Sequence, residues 1–98
     1  MFLVEIVFED ADKVTPALTA KHRENLKKHY SAGRFLVGGR KIPPEGGVIL
    51  ADRFSKEELV QVMSSDPLIA SGAARFLITE FEPVMASEPF TGLLQSGR

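Results

Sequence analysis

The stretch FLVEIVFE, residues 2–9, sets the tightest limit on what this chain can fold into. Phe2, Val4, Ile6 and Phe8 share one face of a strand, while Leu3, Glu5, Val7 and Glu9 form a mixed second face. One face demands a core. The other is only half dry, and a chain of 98 residues, a single domain by size, sits near the low end for supplying a self-sufficient core. Help from a second copy of the chain is therefore expected.

The balance of 44% hydrophobic to 26% charged residues argues against disorder and against a membrane span. Twelve basic and thirteen acidic side chains leave a net charge of −1 with no basic stripe, so a nucleic-acid partner is not expected. The chain has no cysteine, which removes disulfides, thiolate metal sites and a cysteine nucleophile together. The opening MFLVEIVFED lacks a basic lead-in and a small-residue cleavage site, and carries Glu5 inside its apolar run. It reads as a strand of a cytoplasmic protein.

The remaining elements are punctuated by turn and cap residues. A helix begins near Asp12 or Thr15, with Pro16 tolerated in its first turn, and Gly33 is its stop. RFLVGGRKI is a second strand leading through PPEGG to a third, GVILADR. The unbroken run Val48 to Ala51 in the third predicts a central strand covered on both faces. Ser55 and Glu58 form a capping box for a helix carrying Leu59, Val62 and Met63. DPLIASG is a fresh helical turn with Asp66 as N-cap, Pro67 at its first position and Gly72 as terminator. ARFLITEFEPV is the fourth strand.

The order is βαββαβ, which predicts an α+β, ferredoxin-like domain with a four-stranded antiparallel sheet and two helices on one face, over residues 1–84. Little remains to cover the second sheet face except the tail, residues 85–98. A homodimer packed sheet to sheet is the expectation. Within the tail, Phe90, Leu93 and Leu94 are candidates to cover the partner or a pocket mouth, with a floppy terminus the alternative; QSGR reads as disordered.

At 100° per residue, Val14, Leu18, His22, Leu26 and Tyr30 fall on one side of the first helix together with His29. Two readings of His22 stand open. It is a packed histidine satisfied locally, or it is a general base whose second ring nitrogen is held by a carboxylate. Asp66 is the candidate carboxylate if the helices lie side by side, and its alternative reading is a helix cap alone.

HRENL (22–26), AGRFLVGG (32–39) and SDPLIASGAA (65–74), in this order and spacing, make the chain resemble the YciI-like (YCII-related) proteins over residues 1 to about 84. The resemblance implies a ferredoxin-like fold, a dimer of the α/β-barrel kind and an active site using His22 and Asp66. It also implies a distant link to cofactor-independent enzymes such as muconolactone isomerase and to dehydrochlorinases of chlorinated hydroquinones. Thr19 stands where family members often have arginine, Arg40 follows Gly39 where proline is usual, and Leu68 replaces the aromatic after Asp-Pro.

Other patterns are bland. His22 and His29, seven residues apart, are too distant to chelate one ion, so no metal is expected. Gly38, Gly39, Gly46 and Gly47 lack a nucleotide-loop context and read as strand bending and a hairpin. Ser64, Ser65 and Ser71 lack a nucleophile elbow, and Lys21, Lys27 and Lys28 form a solvated helix face. The sequence thus points to proton transfer without a cofactor on a small cyclic or aromatic substrate, of isomerase or lyase type. His22 is the base, Asp66 its support and Arg40 the holder of an anionic substituent. The alternatives are a non-catalytic dimeric module that binds a small ligand or supports an assembly, and a haem- or quinone-handling relative of the same fold.

Overall fold

The computed structural model describes residues 1–94. β1 (Phe2–Phe8), α1 (Pro16–Ser31), β2 (Phe35–Arg40), β3 (Gly46–Ala51), α2 (Lys56–Ser64), α3 (Pro67–Ala70) and β4 (Ala74–Glu80) follow in that order, with 3-10 turns at Ala11–Lys13 and Glu88–Leu94. The strands form one antiparallel sheet in the order β2-β3-β1-β4. This is the ferredoxin-like arrangement that the element order predicts.

Local chemistry sets the helix ends. The Thr15 hydroxyl accepts the Leu18 amide at 3.1 Å, Pro16 occupies a first-turn position where no N–H is needed, and the chain leaves α1 through Gly33 at φ +72°. Ser55 and Glu58 close the reciprocal capping box of α2 at 3.1 and 3.0 Å. Asp66 caps α3, which ends at Gly72 with φ +81°.

The core lies between the helices and one sheet face. Phe2, Val4 and Ile6 of β1 are buried there with Leu59 and Met63 of α2 and Leu68 of α3. From α1, Leu26 is buried, with Val14, Leu18 and Tyr30 packed against the cluster.

A bulge in β2 alters which residues face this core. Phe35 pairs with Ala51 and Val37 with Leu50, so Leu36 is the extra residue, and Gly38 then pairs with Ile49. Phe35 and Gly38, three apart in sequence, therefore both turn toward α1, which strict alternation would forbid.

The opposite face is open. Leu3, Val48, Leu77 and Val37 are 42%, 38%, 46% and 62% exposed. This corrects one expectation: β3 lies inside the sheet, but in the single chain only its Ile49 and Ala51 side is covered. Glu5, the one acid that β1 places centrally on the open face, is ion-paired with Lys41.

Phe90 and Leu94 are exposed, and none of Phe90, Leu93 or Leu94 lines the cavity described below. The QSGR ending lies outside the described residues. Among the described residues, no helix is long and apolar enough to cross a membrane.

Candidate active site

α1 and α3 lie side by side, and the 44 residues between His22 and Asp66 close to a contact of 2.8 Å between His22 Nδ1 and Asp66 Oδ2. The carboxylate is fully buried and the imidazole is 13% exposed. With Nδ1–H donating to the carboxylate, Nε2 is left as the free ring nitrogen. Asp66 serves two purposes at once: Oδ2 also accepts the Leu68 amide at 3.0 Å as the cap of α3. One side chain is thus both the cap of α3 and a hydrogen-bond partner of His22.

Asn25 donates from Nδ2 to Asp66 Oδ1 at 3.0 Å, so both carboxylate oxygens are engaged. Sequence reasoning missed Asn25. Its signal was present in HRENL, where an amide three residues after His22 shares its helix face, but the meaning of that position depends on α3 arriving beside it.

His22 lines a cavity of about 620 Å³ between α1 and the sheet. Its walls include Ile6 and Phe8 of β1, Leu26 and Tyr30 of α1, Gly38 and Gly39 of β2, and Leu68. Arg40 lies on this wall together with Thr19, Arg23 and Lys27. Lys27 belongs both to the solvated helix face, where it pairs with Glu24 at 3.4 Å, and to the cavity rim. Burial raises the pKa of the Tyr30 phenol above the ordinary value of 10.0, which keeps it protonated through neutral pH.

His29 does not join this site. Its ring packs 4.9 Å from Phe35 and 5.9 Å from Phe54. Burial, then the charges of Lys28 and Arg34, lowers its pKa from 6.5. Arg34 lies over the Phe54 ring at 3.7 Å and pairs with Glu58 at 3.1 Å, which closes a structural cluster at the far end of α1.

A family model described as the YCII-related domain matches residues 1–82. The chain belongs to this family. A solved structure of similar fold is 5-chloro-2-hydroxyhydroquinone dehydrochlorinase (TftG) from Burkholderia phenoliruptrix AC1100, in complex with 2,5-dihydroxybenzoquinone. At 16% identity it superposes with a TM-score of 0.70, over 82% of this chain and 91% of that one. No curated protein matches the YCII-related chain in sequence.

Proposed function

We propose that this YCII-related protein is a cofactor-independent acid–base enzyme, of isomerase or lyase type, that acts as a homodimer on a small cyclic or aromatic substrate. One observation carries the reading: a cavity-lining imidazole is held through Nδ1 by a fully buried carboxylate, which leaves Nε2 as the exchangeable nitrogen. His22 takes a proton from a ring C–H or O–H, and the electron pair moves into the ring as an enolate or phenolate. Asp66 orients the imidazolium and offsets its charge. The proton then returns to a different ring atom, or the electron pair expels a leaving group such as chloride. Arg40 holds an anionic substituent. The dehydrochlorinase neighbour supports the ring substrate and the elimination branch.

The open sheet face supports the homodimer, because its exposed Leu3, Val48 and Leu77 gain most from burial against a like face. Sedimentation is expected to give twice 10.8 kDa at micromolar concentration; a stable monomer overturns that part.

The catalytic reading is tested by offering 5-chloro-2-hydroxyhydroquinone and a set of cyclic keto and hydroxy acids. Chloride release and ring-hydrogen exchange in heavy water are followed by NMR. The protein is expected to process at least one of them, and His22→Asn to slow it by about 100-fold or more without change in circular dichroism or sedimentation. Equal rates in the variant, or no processing by the wild type, would leave a ligand-binding dimer in which His22 is a packing residue.

A further inference from the structure

His22 and Tyr30, eight residues apart on the same face of α1, both stand on the cavity wall, with Thr19 nearly one turn before His22. At ~1.5 Å per residue their backbone positions stand about 12 Å apart along the axis. Both side chains line the cavity. The bulge in β2 turns Gly38 toward Tyr30, and a Cβ at residue 38 would stand 2.1 Å from the Tyr30 hydroxyl and 2.9 Å from the Val48 carbonyl oxygen. The phenol therefore occupies a place that residue 38 leaves empty.

Packing alone does not account for that hydroxyl. The Tyr30 ring meets Phe35 edge-on at 5.5 Å, a contact that phenylalanine would make equally well. Among the described residues no group takes up the hydroxyl, and no buried side-chain polar atom lacks a partner, so the hydroxyl is reachable from the cavity. Its raised pKa keeps it a donor at neutral pH.

The charges around the cavity indicate what it would donate to. Arg23, Lys27 and Arg40 line the wall and no carboxylate does. Lys27 is shared with Glu24, whereas Arg23 and Arg40 have no ion-pair partner among the described residues. Unpaired cations around an apolar pocket favour an anion with an apolar body.

We propose that Tyr30 is a second substrate-binding residue, whose hydroxyl, held over Gly38, donates a hydrogen bond to an oxygen of an anionic ring substrate that meets His22 at its other end. This rests on the reading of the cavity as the substrate site. The role is binding and orientation; the proton that moves in the reaction stays with His22.

The test is an NMR titration of the full chain with benzoate and 2,5-dihydroxybenzoquinone as anionic ring probes and toluene as a neutral ring. Both anions are expected to shift resonances of cavity residues and to bind more tightly than toluene. Tyr30→Phe is expected to weaken the anions about tenfold and leave toluene unchanged, the loss expected for one hydrogen bond to a charged group. A purely structural role would change toluene and the anions alike. Unchanged anion affinity in Tyr30→Phe, toluene binding as tightly as the anions, or no anion binding overturns the assignment. Failure of the acid–base reading is separable. His22→Asn with full turnover sinks that reading even where the Tyr30 effect holds, and a null Tyr30→Phe result sinks only the present one where turnover depends on His22.

Discussion

His22 and His29 are the same residue type, two turns apart on one side of one helix, and they do different things. His22 meets a buried carboxylate at 2.8 Å, with an open cavity against its ring. His29 meets Phe35 and Phe54, with Lys28 and Arg34 close enough to disfavour its charged form. The phase of the helix brings both to the inner side. What arrives from other elements decides the rest: α3 brings an acid to the first, and β2 with the loop before α2 brings aromatic rings to the second. A histidine acquires chemistry from its neighbours, and a helical stripe by itself is silent about them.

The contrast can be broken most sharply at Asp66. Asp66→Ala removes a helix cap and strands the His22 and Asn25 donors, and is expected to cost about 3 kcal/mol in urea unfolding. A cost well below about 1 kcal/mol would show that the buried carboxylate does not anchor His22 and Asn25. A smaller effect is expected from His29→Ala, about 1–2 kcal/mol from the lost ring contacts, with turnover unchanged.

The pH dependence sharpens this second comparison. Because the folded state lowers the pKa of His29, the unfolded chain binds its proton more readily, and the His29 contribution to stability rises with pH up to about 6.5 and is flat above. On acidification that contribution is lost below about 6.5. Unfolding free energies of wild type and His29→Ala from about pH 5 to about pH 8 are expected to converge on the acid side and to run parallel above neutrality. A constant gap across that range would show that His29 titrates as it does in the unfolded chain.

The element order was legible because the signals that set it are local. Thr15 with Pro16, Ser55 with Glu58 and Asp66 with Pro67 each satisfy backbone groups within one turn of themselves, and Gly33 and Gly72 adopt the positive φ angles that end their helices. The Val48–Ala51 run was half informative: it marked an inner strand, but a run of apolar residues does not say whether its second face is covered by the same chain. Asn25 and Tyr30 were opaque for a related reason. Nothing within a few residues of either fixes its role, which depends on α3 in one case and on a bulge in β2 in the other. The two 3-10 turns were also missed, since they are too short to show a periodicity. Arg40, which follows Gly38 and Gly39 in sequence, lines the cavity.

Asp66 is not part of the cavity wall, although the histidine it holds is. The acid and its Asn25 brace lie behind the surface a ligand would touch, while Thr19, Arg23 and Arg40 stand on the rim with no bond to that support. Foundation and lining can therefore change separately. A lineage built on this scaffold can exchange rim residues while the His22–Asp66 pair stays anchored; the same separation gives a protein engineer a set of positions to randomise without undermining the structure beneath them.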